Sequence, residues 1–265
     1  MPDDTYTHGH HASVLRSHTW RTADNSAGHL LPHLRPGMNV LDVGCGPGTI
    51  TADLARRVAP GTVVGIDRSD DVIALAAESV GDVDGLLFTT GDVYALDADD
   101  ATFDIVHAHQ VLQHLSDPVA ALREMRRVCR PDGLVAVRDS DYGAFTWAPN
   151  DPALDRWLSL YREVARSNDA EPDAGRYLKG WAQRAGFGHV TASASVWCFT
   201  EPEDRAWWGG LWADRMLESD LARQAVERGF VVTADLQAFA DAFRRWAEAS
   251  DGWFAVLHGE VLARP

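Results

Sequence analysis

The sequence predicts an α/β fold, a mostly parallel sheet with helices on both faces. Three observations carry that prediction. From Met38 to Asp139, short apolar strand-like runs alternate with amphipathic helix-like runs, the crossovers that parallel strands require. Two of those strands end on an acid, TVVGID (62–67) and GLLFTTGD (85–92). The first instead enters three glycines spaced every second residue, VLDVGCGPGTI at 40–50.

Each element can be justified in order. NVLDV (39–43), with Val40, Leu41 and Val43 apolar, reads as a strand. Residues 51–58 read as a helix, and residues 70–79 as another, with Val72, Ile73, Ala76 and Ala77 on one face. FDIVHAHQ (103–110) is a fourth strand. Asp117-Pro118 opens the next helix with an N-cap acid and a proline in the first turn. Val119, Leu122, Met125 and Val128 form its core face. Pro131-Asp132-Gly133 reads as a turn before a fifth strand, LVAVRD (134–139). Residues 152–165 carry apolar side chains at helical spacing, and residues 173–185 form a helix stopped at Gly186. HVTASASVWCF (189–199) and WFAVLHGEVLA (253–263) are the sixth and seventh strands. Between them lie about fifty residues of helical character, rich in tryptophan.

Composition narrows the function. The net charge of −15 excludes a basic footprint for nucleic acid. No run is long and apolar enough to span a membrane, and the N-terminus lacks a signal-peptide core. The three cysteines are too few and too scattered for a disulfide framework. A cytoplasmic location is expected.

A glycine-rich turn between strand and helix lets a ligand approach the backbone closely. The spacing here is G-x-G-x-G, with Thr49 where a dinucleotide fingerprint has its third glycine. No basic residue lies between Asn39 and Ala55, so a pyrophosphate would meet only backbone. Asp42, Asp67 and Asp92 stand where open parallel sheets bind ligands, beyond the carboxyl ends of the strands. Acids there suit a ligand with a diol, an exocyclic amine and positive charge, and S-adenosylmethionine has all three. The plainer role for Asp67 and Asp92 is to cap the helices that follow them.

Taken together, LDVGCGPGT, VVGID, TTGD and FDIVHAHQVLQHLSDPVAALREMRRVCRPDGLV closely resemble the class I S-adenosylmethionine-dependent methyltransferases. Within them the chain is most similar to the group containing the ubiquinone and menaquinone C-methyltransferases. The resemblance covers roughly residues 36–190. It implies a Rossmann-like sheet of seven strands, only the last antiparallel, with S-adenosylmethionine as cofactor. It also implies that Gly44, Gly46 and Gly48 meet the methionine part and ribose, with Asp42 beneath them. Asp67, followed by Arg68, would hold the ribose diol. Asp92 and the Val93 N–H would read adenine, and His109 would lie beside the methionine portion. The expected layout is an N-terminal helical lid (1–35), a cofactor-binding core (36–200) with a substrate-side helical segment (141–172), a helical cap (201–250) between strands six and seven, and the final strand (251–265).

The remaining candidates concern the acceptor. Tyr6, His18, Trp20 and Arg21 would touch it from the lid, and Trp208 and Trp212 from the cap. Tyr142 follows the fifth strand on the acceptor side, and His109, Asp139 and Asp141 are the candidate acid–base groups. HGHH (8–11) has no positioned fourth ligand, and no metal is expected. The cap composition points to a small, largely apolar or aromatic acceptor, such as a secondary metabolite, quinone or phenol. Two other classes stay open: an enzyme of the same fold that uses the cofactor for a non-methylating rearrangement or cyclisation, and a non-catalytic binding protein.

Overall fold

The computed structural model describes residues 19–265 together with Asp4 and Thr7. Eight strands form one sheet: β1 (Asn39–Val43), β2 (Thr62–Asp67), β3 (Leu86–Thr90), β4 (Phe103–His109), β5 (Cys129–Ser140), β6 (Thr146–Ala148), β7 (His189–Phe199) and β8 (Trp253–Arg264). The order runs β3-β2-β1-β4-β5-β8, with β6 and β7 both pairing with β8. The first five are parallel to one another, and β8 is antiparallel to all three of its partners, β5, β6 and β7. Only the last strand is therefore reversed, as expected. The sheet has one strand more than expected, because β6, three residues long, continues the β5 edge along β8.

The crossovers are α2 (Thr49–Val58), α3 (Asp70–Val80) and α4 (Pro118–Val128), preceded by the one-turn α1 (Ala23–Ser26). Ser69 caps α3 and Asp117 caps α4 through their side chains. Strand alternation divides the core into two layers. Val40, Ile105, Leu134 and Ala136 face α1 and α2. Leu41, Val43, Val106, Val135 and Val137 face α4 and α6 (Leu178–Arg184). A third cluster joins α5 (Pro152–Arg166), α7 (Pro202–Glu218), α8 (Asp220–Glu227) and α9 (Thr233–Glu248) to β6, β7 and β8. The tryptophan-rich helices lie where the cap was expected, between the last two strands.

Three expectations are corrected. Pro131-Asp132-Gly133 does not separate α4 from a strand. It lies inside β5 as an irregularity, with Phe103 paired to Cys129 and Ile105 to Leu134. The helix expected at 173–185 divides into a 3-10 turn, Ala174–Arg176, and α6. Residues 23–34, assigned to the lid, are core instead. Ala23, Ala27, Leu30 and Leu34 are buried against β1 and α2, because their spacing puts small and aliphatic side chains on one face.

Candidate functional site

The strand order reverses around β1, and a cavity of about 720 Å³ opens beyond its carboxyl end and those of β2 and β4. Gly44, Gly46 and Gly48 all have positive φ, at 66°, 54° and 80°. This is the reason for the alternating glycines, since L side chains avoid that region. A Cβ on Gly48 would sit 2.5 Å from the Phe88 ring, and one on Gly44 would overlap Val111. The turn is tied to β2 by the Cys45 N–H, which donates to the Ile66 carbonyl at 2.9 Å.

Below the turn, Asp42 is only 3% exposed. One of its oxygens accepts from the Thr51 hydroxyl at 2.6 Å, and the other lies 2.7 Å from His107 Nδ1. Asp42 thus braces the turn from below and also lines the cavity. Asp67 lines the cavity at the end of β2 and accepts from the Gly46 and Ser69 N–H groups at 3.3 Å. Asp92 and Val93 line it from the loop after β3, where Asp92 accepts from the Tyr94 N–H at 2.9 Å. Neither acid caps a helix: Ser69 caps α3, and Asp92 closes a turn, so both carboxylates line the cavity while holding local backbone. Arg68 lines the same end and donates to the Asp4 carbonyl at 2.5 Å.

The cavity continues past the turn into an aromatic chamber. Its walls include Trp20, Tyr142, Phe145, Trp197, Trp207, Trp208 and Trp212. Trp20 stands edge-on to Trp197 at 5.1 Å, and Tyr142 stacks on Phe145 at 4.3 Å. Trp208 and Trp212 are both core and wall, being 5% and 0% exposed. Arg21 enters from the segment before α1.

His109 stands between the two ends. It is 5% exposed, lines the cavity, and among the described residues has no hydrogen-bond partner on either ring nitrogen. Burial, together with Arg21, Arg138 and His258, holds its pKa well below 6.5. The imidazole is therefore neutral at neutral pH, with a lone pair available to a ligand. Arg138, 1% exposed, lies beside it, donates to Ser195 Oγ at 3.0 Å and pairs with Glu260 at 3.4 Å.

Two acid–base candidates are not in the cavity. Asp141 forms a two-pronged ion pair with Arg176, at 2.7 Å from its Nε, and faces away from the chamber. Asp139 is fully buried behind the turn at Leu112–His114, where it accepts from the Gln113 N–H at 3.1 Å. Burial pushes its pKa up to about 7. Alternation in β5 turns Ser140 towards the cavity and Asp139 away from it, and beyond the strand the 3-10 turn at Tyr142–Ala144 puts Tyr142 on the cavity wall while Asp141 pairs with Arg176. Tyr6, His18 and the HGHH run lie outside the described residues. Among the described residues, no group of three or more His, Cys, Asp or Glu is placed to hold a metal ion.

Sequence reasoning missed Gln110, Ser140, Phe145, Trp197 and Val256, all of which line the cavity. Gln110 had a usable signal, standing directly after His109 at the end of a parallel strand. Trp197 had a weaker one, as an aromatic residue near the end of β7.

A backbone cradle at a switch point, with acids on the neighbouring strands and an enclosed chamber beyond, defines a nucleoside-cofactor enzyme of the α/β class. The turn accepts only a ligand that meets bare backbone, and the acids match a diol and an amine. S-adenosylmethionine fits both requirements. Family comparison agrees: residues 34–186 match the Methyltransferase domain family. The chain therefore belongs to the S-adenosylmethionine-dependent methyltransferases. It is 34% identical over 268 residues to an uncharacterized methyltransferase of Schizosaccharomyces pombe, covering 97% of this chain and 95% of that protein. It is 33% identical over 129 residues to the demethylmenaquinone methyltransferase of Staphylococcus aureus, covering 48% of this chain and 51% of that one. Among solved structures, the [4+2]-cyclase SpnF shares the fold, with a TM-score of 0.52 and 23% identity over 94% of this chain and 80% of that one.

Proposed function

We propose that this enzyme methylates a small, largely apolar or aromatic acceptor held in the tryptophan-rich chamber. One observation carries the reading: a single cavity runs from the glycine turn into the aromatic walls. A ligand on the turn and a planar guest in the chamber would meet beside His109. Bound S-adenosylmethionine supplies an electrophilic methyl group on a sulfonium that leaves as a neutral thioether. The chain's own residues do the rest. Asp67 accepts the ribose hydroxyls, and Asp92 with the Val93 N–H receives adenine. Trp20, Tyr142, Trp208 and Trp212 hold the acceptor and exclude water.

His109 places its ligand rather than deprotonating it, because a depressed pKa leaves it a weak base. Among the described residues ahead of α1, Asp4, Trp20 and Arg21 line the cavity and would close over its contents. Among the described residues no helix is long and apolar enough to cross a membrane, and all three cysteines are free.

A second reading is kept because SpnF, a cyclase, shares the fold. In it the cofactor shapes or polarises the site without giving up its methyl. Mass spectrometry of a turnover mixture separates the two. S-adenosylhomocysteine formed in step with a product 14 Da heavier (one CH₂, about the gain of any methylation) supports methyl transfer. An isomerised product with intact S-adenosylmethionine overturns it.

A further inference from the structure

We propose that Gln110 is a positioning residue whose amide latches Arg21 of the N-terminal segment to the ends of β5 and β8 and fixes which nitrogen of His258 carries its proton. The proposal concerns the cavity read above as the methyl-transfer site, and it stands on the bonding of one side chain. Gln110 follows β4 with a φ of 54°, a region few side chains other than glycine occupy. Its N–H donates to the Arg138 carbonyl at 2.7 Å and keeps the backbone there.

The side chain has one possible orientation. Arg21 Nη2 lies 2.6 Å from Oε1, and a guanidinium has only protons to offer, so the carbonyl end of the amide faces it. Nε2 is then turned to Ser140 Oγ at 2.7 Å and His258 Nε2 at 2.9 Å, and it donates to both. His258 Nδ1 lies 3.1 Å from the Val256 carbonyl, which can only accept. The imidazole proton is therefore on Nδ1, and the Nε2 lone pair receives Gln110.

Three chain segments far apart in sequence meet in this way at the wall of the cavity, beside His109, whose ring lies 6.1 Å from that of His258. His258 is also faced by Arg138 from β5, Arg21 from the N-terminal segment and Trp197 from β7. A second proton on it would add to cations already present. Glutamate cannot replace the amide without such a proton, and asparagine is one methylene too short to hold all three partners.

Two substitutions test the latch. Gln110→Gly accepts the backbone conformation and removes only the amide, and Gln110→Glu keeps an acceptor for Arg21 while removing both donors. Each is first shown by a cooperative melt to be folded. Hydrogen exchange over residues 19–27 is then followed with and without S-adenosylhomocysteine, and release of that ligand is timed by tryptophan fluorescence. Gln110→Gly should speed both exchange and release by about tenfold, the factor for one lost hydrogen bond to a charged group. Gln110→Glu should leave both near wild type, and imidazole NMR should show His258 protonated at neutral pH, where the wild-type ring is neutral. Wild-type exchange and release in Gln110→Gly overturns the latch. So does a loosened segment, or a neutral His258, in Gln110→Glu. No acceptor is needed, so a failure to detect methyl transfer leaves this test intact.

Discussion

A neutral histidine with two bare nitrogens sets the chemistry at the residue scale. A histidine acting as general base at its ordinary pKa would make the rate rise through about pH 6.5. His109 is already deprotonated there, because burial and nearby cations depress its pKa. The rate should therefore be level from about pH 6 to 8. His109→Gln should weaken S-adenosylmethionine binding more than it lowers turnover at saturation. Unchanged binding with turnover down about 10²-fold or more would make His109 the base. Asp67→Ala should weaken cofactor binding at least about tenfold, since each hydrogen bond to a charged group contributes roughly 1.5–3 kcal/mol. Calorimetry on the folded variant reads this directly. Asp139 acts on stability. Its folded pKa is raised to about 7, so the native state holds a proton that the unfolded chain releases near pH 4. Its contribution to stability should therefore fall as pH rises from about 4 to 7 and then level off. In Asp139→Asn, urea melts across that range should lose this slope.

At the scale of elements, the glycine turn is the part most exposed to test. Gly48→Val would place a branched side chain against the Phe88 ring at a φ of 80°. It should abolish measurable cofactor binding while the sheet, followed by circular dichroism, persists. Gly46→Val should also lose binding, at a φ of 54°. Normal affinity in Gly46→Val would reduce the turn to a helix start. This turn was legible from sequence because its reason is local: three positive φ angles in five residues demand glycine. Asp67 and Asp92 were placed on the cavity by their positions, Asp67 ending β2 and Asp92 two residues beyond the end of β3. Asp139 and Asp141 were misread because what occupies them comes from distant sequence, the Gln113 N–H for Asp139 and Arg176 for Asp141, which no local pattern records. β6 was missed because three residues carry no alternation. The turn at Pro131–Gly133 was misplaced because an irregularity inside a strand uses the same residues as a loop.

For the whole molecule, one cavity couples cofactor to stability. S-adenosylhomocysteine at about a hundred times its Kd should add about 2.7 kcal/mol. For a chain of this size that raises Tm by about 5–10 °C, and a scan with and without ligand reads it. An unchanged Tm would separate the cavity from cofactor binding. The two-layer core was legible because β1, β4 and β5 are apolar on both faces. The chamber was legible only as a tryptophan-rich stretch, since Trp20, Tyr142 and Trp208 come together from three distant parts of the chain.

The reversed strand β8 also sets an order in time. It hydrogen-bonds β5 along 258–263, β6 along 253–255 and β7 along 254–264, and it is made after all of them. During synthesis, β1 to β5 can pair as they leave the ribosome, whereas β6 and β7 have no partner yet. Trp147, Trp197 and Phe199, each at most 9% exposed in the finished protein, stay in water until the segment at 253–264 emerges. This half of the sheet forms only through contacts distant in sequence, which are slow to close. A nascent chain halted before residue 253 would therefore present a half-built sheet with a bare β5 edge, the species most prone to capture by chaperones or by another copy of itself.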